Sequence, residues 1–196
     1  MIRDNAAMSK ERDPLPLTAL VLAGGAGRRM GGRDKGWLMY REQPLIRHAL
    51  ATVQARAQEV LISANRSLDA YQSLGHRIIR DAREGFCGPL QGMLAGLDAM
   101  HTEWLACVPV DCPALPTDLL DRLWQSRGDR QLVIAGDDSG TTPVVALLHG
   151  SLRDSLADYL DSGARSVRGW MQNIPHNLLR LTPEELHNIN RPEDLE

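Results

Sequence analysis

The order of apolar runs predicts an α/β fold: a mostly parallel, mixed sheet in three layers, with helices on both faces. Three observations carry this expectation. Short strand-like runs alternate with segments of helical periodicity along the whole chain. The first run, Ala19-Leu20-Val21-Leu22-Ala23, breaks into a loop with glycines at 24, 25, 27, 31 and 32 and cations at Arg28, Arg29, Arg33 and Lys35. Two later runs end on acids, Asp81 and Asp111, which places both carboxylates at the sheet edge where open α/β folds bind ligands.

The elements are expected in the following order. Strand one covers 18–23. Pro44 opens a helix in which Leu45, His48/Ala49 and Val53 recur at helical spacing. Val60-Leu61-Ile62 reads as strand two, closing on Ser63-Ala64-Asn65, with a short helix near 67–74. Arg77-Ile78-Ile79 reads as strand three and ends at Asp81. Pro89-Leu90 begins a helix that aligns Leu90, Met93/Leu94, Leu97 and Met100 on one face. Trp104-Leu105-Ala106-Cys107-Val108 is strand four, ending at Asp111, and a helix starts near Pro116 with Leu119, Leu120 and Leu123 inward. Leu132–Ala135 and Val144–Leu148 read as an antiparallel pair across an Asp137-Asp138-Ser139-Gly140 turn, which makes the sheet mixed. Helices near 151–162 and 164–173 and a strand near 178–181 complete the chain.

Composition narrows the function classes. The length of 196 residues suits one domain over 14–196 behind a flexible tail at 1–13, which mixes both charges and lacks the apolar stretch of a signal peptide. No stretch approaches the length of a membrane span. A net charge of −3 argues against general attraction to nucleic acid. Cys87, Cys107 and Cys112 form no C-x-x-C pair and no zinc spacing, so a reducing cytoplasm is the expected setting.

A buried strand running into a glycine-rich basic turn offers backbone N–H groups and positive charge to a polyphosphate. The better-known templates do not match. In a G-x-G-x-x-G frame begun at Gly25 and Gly27 the last position is Met30, and no acid closes strand two for a ribose. Lys35 lies between Asp34 and Gly36, without the Ser or Thr of a P-loop. A nucleoside triphosphate calls for a hard divalent cation, usually Mg²⁺ held by one or two carboxylates with phosphate and water. Asp111 is the candidate ligand, although Pro113 leaves a simple turn aspartate open as the alternative. Asp81 is a strand-end acid whose spacing alone equally suits a cap. The six histidines are scattered and no Ser/His/Asp or Cys/His set stands out.

The loop Leu22-Ala23-Gly24-Gly25-x-x-x-Arg29-Met30-Gly31-x-x-Asp34-Lys35 resembles the signature of nucleotidyltransferases that join a nucleoside monophosphate to a phosphorylated acceptor. Further motifs narrow the resemblance to bacterial molybdenum cofactor guanylyltransferases. Pro109-Val110-Asp111-Cys112-Pro113 is similar to that family's Pro-x-Asp-x-Pro, and Gly88-Pro89-Leu90-Gln91-Gly92 to its Gly-Pro-Leu-x-Gly loop. Ser63-Ala64-Asn65-Arg66 stands where the family commonly shows Asn-Ala-Asn-Arg, so the first position departs. Asn188-Ile189-Asn190, followed by Arg191-Pro192-Glu193-Asp194-Leu195, resembles the family's ending, and a strand end plus helix cap explains the same residues.

The resemblance implies a three-layer, Rossmann-like nucleotidyltransferase domain that transfers GMP from GTP to molybdenum-molybdopterin. It implies GTP contacts at Leu22, Ala23, Gly24, Gly25, Lys35, Ser63, Asp81, Gly88, Pro89, Leu90 and Asp111. Asn188 and Asn190 belong by resemblance to the pterin-phosphate side, together with 141–143 and 163–165, the first of which lacks the family's His-Pro-Thr/Val pattern. Arg29, Lys35 and Mg²⁺ on Asp111 would neutralise the reacting phosphates. Cofactor-maturation proteins and molybdoenzymes are the implied recipients, with neither nucleic acid nor membrane as a partner. The signature loop by itself is also compatible with a cytidylyl- or sugar-phosphate relative, or with a non-catalytic GTP-binding assembly protein.

Overall fold

The structure is a computed structural model that describes residues 13–24, 33–81, 88–138 and 140–195. In chain order its elements are β1 (Leu15–Leu22), a 3-10 turn at Lys35–Trp37, β2 (Met39–Tyr40), β3 (Gln43–Pro44), α1 (Leu45–Val53), β4 (Ala57–Ser63), α2 (Leu68–Gln72) and β5 (Arg77–Ile79). They continue as α3 (Pro89–Ala99), β6 (Trp104–Pro109), α4 (Leu119–Ser126), β7 (Leu132–Asp137), β8 (Gly140–His149), α5 (Arg153–Asp161), α6 (Val167–Met171) and β9 (Asn177–Arg180).

Seven strands form one sheet in the order β5-β4-β1-β6-β8-β7-β9. β5, β4, β1 and β6 are parallel neighbours, and β9 is parallel to β7. β8 runs against both β6 and β7, so within this sheet of described strands it alone breaks the common direction. The expected antiparallel pair is therefore present, and its second strand also separates β7 from the parallel half.

Both faces of the sheet are covered, as near-continuous apolar strands require. Leu17, Ala19 and Val21 of β1 point toward a core shared with Ile46, Leu50 and Val53 of α1 and Leu119, Leu120 and Leu123 of α4. Leu20 of β1 points the other way, toward Leu90, Met93 and Leu97 of α3, Leu156 and Leu160 of α5 and Trp170 of α6. Each fully buried leucine of this kind contributes roughly 1.5–3 kcal/mol relative to exposure. Gly96 lets α3 lie close on the sheet, since a Cβ there would stand 2.7 Å from Leu20 Cδ2.

Several boundaries shift for local reasons. β1 starts at Leu15, earlier than expected, because its main chain already pairs with the start of β4. The helix expected at Pro116 begins at Leu119, entered through a turn in which Leu119 N donates to Pro116 O at 3.0 Å. The helix expected over 164–173 shortens to α6, where the Ser166 side chain accepts from Gly169 N. Strands β2 and β3 were not expected. They join through Arg41 and Glu42, both at positive φ, a hairpin turn built without the usual glycine or asparagine.

Candidate active site

The carboxyl ends of β5, β4, β1 and β6 lie side by side, an edge about 14 Å long at ordinary strand spacing. The strand order therefore sets the residues that follow these strands in a row. Gly24 follows β1, Ser63 ends β4, and Asp81 and Asp111 lie two residues beyond β5 and β6. Hydrogen bonds stitch the row together: Ala23 N donates to Ser63 O at 2.9 Å and Val110 N to Leu22 O at 3.2 Å.

One end of the edge carries amide and carboxylate groups. Asn65 Nδ2 donates to Asp81 Oδ2 at 2.9 Å, and Asp81 N donates back to Asn65 Oδ1 at 3.1 Å. Burial pushes the Asp81 carboxyl above the usual carboxylate range, and the Asn65 hydrogen bond opposes that rise. Ser63 is buried, and a Cβ on Gly92 would stand 2.8 Å from both its Oγ and Leu22 Cδ2. Gly88, at φ 84°, turns the chain into α3 in a conformation that side chains rarely adopt. Glycine at 92 thus brings the start of α3 against the strand ends.

Gly92→Ala tests that close approach. Overpacking at about 2 kcal/mol should outweigh about 1 kcal/mol of gained helix propensity. We expect the melting temperature to fall by about 3 °C, and a rise would mean that Ser63 and Leu22 yield freely.

The other end carries opposite charges. Lys35 Nζ lies 2.7 Å from Asp111 Oδ2 and 3.5 Å from Asn190 Oδ1. Asp111 also receives the C-terminal segment through its main chain, since Ile189 N donates to Asp111 O at 2.8 Å. Asn188 Oδ1 is buried beside this junction without a hydrogen-bond partner among the described residues, a condition that costs free energy unless something donates to it. Cys112 is buried next to Asp111, and burial first, then the Asp111 charge, push its thiol up to about 12. That places it far from a reactive thiolate.

The structure thus brings Ser63 and Asp81 to one end of the edge, Leu22, Ala23 and Gly24 to its middle, and Lys35, Asp111, Asn188 and Asn190 to the other end. Gly88 and Pro89 are exposed at the entry to α3, while the Leu90 side chain is fully buried in the core, leaving only its main chain able to meet a ligand. Gly25 and Arg29, with the rest of residues 25–32, lie outside the described residues, as do residues 1–12 of the expected tail and Cys87. On the expected acceptor side, Arg165 Nη1 donates to Leu160 O at 2.8 Å, so it closes the end of α5. Thr141 and Thr142 pair with Gly136 and Ala135 across the β7–β8 ladder.

Sequence reasoning missed two features. Asn65 carries no role in the sequence beyond its place in the Ser63–Arg66 motif, and its reciprocal bond to Asp81 emerges from the β4–β5 pairing. Asp34 stands in the sequence as a member of the signature loop with no role assigned to it, yet its Oδ1 accepts from Gly36 N at 3.2 Å and from Tyr71 Oη at 2.7 Å. An Asp followed by a Lys-Gly turn was an available signal for the first of these contacts, as a side-chain cap.

Among the described residues, no group of three or more His, Cys, Asp or Glu could hold a metal ion, and no helix is long and apolar enough to cross a membrane. Comparison with known proteins places the chain in a family. The MobA-like NTP transferase domain family matches residues 19–177. A molybdenum cofactor guanylyltransferase from Shewanella halifaxensis (strain HAW-EB4) is 38% identical over 179 residues, covering 89% of this chain and 90% of the relative. One from Yersinia pseudotuberculosis serotype O:1b (strain IP 31758) is 38% identical over 180 residues, 91% of this chain and 92% of the relative. The crystal structure of molybdopterin-guanine dinucleotide biosynthesis protein A from Archaeoglobus fulgidus superposes with a TM-score of 0.73 at 22% identity, over 91% of this chain and 94% of that one, and supports the fold. The chain belongs to the molybdenum cofactor guanylyltransferase family, within the MobA-like NTP transferases.

Proposed function

We propose that this protein transfers GMP from GTP to the terminal phosphate of molybdenum-molybdopterin, forming the guanine dinucleotide and releasing pyrophosphate. The observation that carries the reading is the convergence of Lys35 and Asp111 at the end of β6, in a chain whose 38%-identical relatives bear that activity in their names. The base would lie toward Ser63, Asn65 and Asp81. A half-buried carboxylate there is an acceptor suited to the donor-bearing edge of guanine. The phosphates would lie toward Lys35.

The chemistry asks little of acid–base groups. An oxygen of the acceptor's phosphomonoester dianion forms a bond to the α-phosphorus, and the bond from that phosphorus to the bridging oxygen of pyrophosphate breaks. No proton need move in the exchange. The protein's task is in-line placement and neutralisation of charge on the phosphates. Lys35 supplies a point charge, and Arg29 is the proposed second cation.

Mg²⁺ fits the donor set. Asp111 offers a hard carboxylate whose side chain is 22% exposed and already attracts a cation in Lys35. A single carboxylate is too few for an all-protein cage but suits an ion that draws its other ligands from phosphate and water. When bound at Asp111, Mg²⁺ would supply charge neutralisation at the reacting phosphates.

A matrix of four nucleoside triphosphates against candidate acceptors, read by pyrophosphate release, tests the proposal. GTP with molybdenum-molybdopterin is expected to exceed ATP, CTP and UTP. Comparable turnover with CTP would move the assignment to a cytidylyl relative, and Ser63, shorter than the family's asparagine, is where selectivity would soften. GTP binding without pyrophosphate release would leave a nucleotide-binding assembly protein.

A further inference from the structure

Tyr71 is fully buried, yet it carries a hydroxyl that core packing does not need. Its ring packs against Trp37 with centroids 5.3 Å apart at 45°, a contact that phenylalanine would also make. The hydroxyl instead reaches Asp34 Oδ1 at 2.7 Å, across 37 residues of sequence. The same Oδ1 accepts from Gly36 N at 3.2 Å, so Asp34 caps the turn Lys35–Trp37 while Tyr71 holds the cap. Arg66 adds a second tie: its Nε stands 3.8 Å from Asp34 Oδ2, and its Nη2 donates to the Arg33 carbonyl at 2.9 Å. The two residues before Lys35 are thereby fastened to the segment between β4 and α2.

We infer that Tyr71 is a positioning residue for nucleotidyl transfer: through Asp34 its hydroxyl fixes the turn that aims Lys35 toward Asp111. The inference rests on Lys35 acting at the phosphates, as proposed above. A lysine side chain has four rotatable bonds, so the direction of its ammonium depends on where the main chain launches it. Misplacement of a positioned group by about 1 Å can cost 10²-fold in rate. Tyr71 keeps its proton throughout the working pH range, because burial first and the Asp34 contact second push its phenol far up. It therefore remains a donor. Gly36 belongs to the same device. A Cβ at this position would fall inside van der Waals contact of Tyr71 Oη, whereas the ring carbon Cζ would stand at 3.3 Å. The hydroxyl sits directly against the turn's main chain, and only glycine leaves it room.

The test compares Tyr71→Phe, Lys35→Ala and the double variant in the full chain, reading kcat and KM for GTP together with melting temperature. For Tyr71→Phe, kcat/KM is expected to fall about tenfold at temperatures well below melting. In the Lys35→Ala background the same change should cost less than about twofold, because two groups acting through one ammonium are not additive. Equal losses in both backgrounds would overturn the inference, as would a Tyr71→Phe variant that loses stability but keeps its kcat/KM. Lys35→Ala with unchanged turnover would overturn the reading of the phosphate site itself, which separates the two failures. Should Tyr71→Phe not fold, Gly36→Ala asks the same question from the other side. It must displace the hydroxyl, and an about tenfold loss at intact folding is expected. Wild-type turnover from a folded Gly36→Ala variant would overturn the inference equally.

Discussion

Asp111→Asn is expected to fold normally, bind GTP and lose at least about 10²-fold in turnover, the scale on which charge stabilisation at a reacting phosphate operates. The substitution keeps the size of the side chain and an oxygen able to accept from Lys35. It also leaves untouched the main-chain carbonyl that receives Ile189 N at 2.8 Å, so the C-terminal segment stays docked. With the two side chains only 17% and 22% exposed, the pair is mostly buried, so losing its charge should cost on the order of 1–3 kcal/mol, and the rate is therefore read well below the melting temperature. What disappears is the negative charge proposed to hold Mg²⁺. Raising Mg²⁺ should therefore recover only part of the rate. Near wild-type guanylyl transfer at ordinary Mg²⁺ would make Asp111 a turn residue, a role asparagine fills equally well, and would remove the metal site from the mechanism.

Lys35→Ala is expected to weaken GTP binding and turnover together. Its ammonium would meet phosphate oxygens before and during transfer, so both the ground state and the transition state lose a charge-assisted hydrogen bond. One such bond is worth roughly 1.5–3 kcal/mol, which corresponds to about 10- to 100-fold in kcat/KM. Calorimetric titration with a slowly reacting GTP analogue separates the binding part, and pyrophosphate release gives the remainder. Because Lys35 stands 2.7 Å from Asp111, the two losses should not add in a double variant. Unchanged affinity and rate would place Lys35 outside the phosphate site.

These expectations draw on two kinds of information in the chain. The alternation of elements was legible because each strand is a short apolar run and each longer helix shows its own period. β4, β6 and β7 fall where Val60–Ile62, Trp104–Val108 and Leu132–Ala135 place them. Asp81 and Asp111 could be assigned to one sheet edge from sequence, because parallel strands send their carboxyl ends the same way. The β2–β3 hairpin was not legible. Two-residue strands show no alternation, and Arg41 and Glu42 give no local sign of the positive φ they adopt.

What the sequence determined by itself was local and repetitive: the α/β order, the glycine-rich basic loop after β1, the acids beyond strand ends and the motifs that connect them to one family. Which polar groups meet was decided by the tertiary structure. The order β5-β4-β1-β6 sets Asp81 against Asn65, the return of the chain after β9 brings Ile189 to Asp111, and α2 brings Tyr71 to the turn of Lys35. Each of these contacts joins residues 16 to 78 positions apart, as the residue numbers show. Apolar periodicity states which face of an element is buried, but it is silent on which element lies opposite. The partner of a polar side chain depends on crossovers between strands, and those become definite only when the whole sheet has assembled.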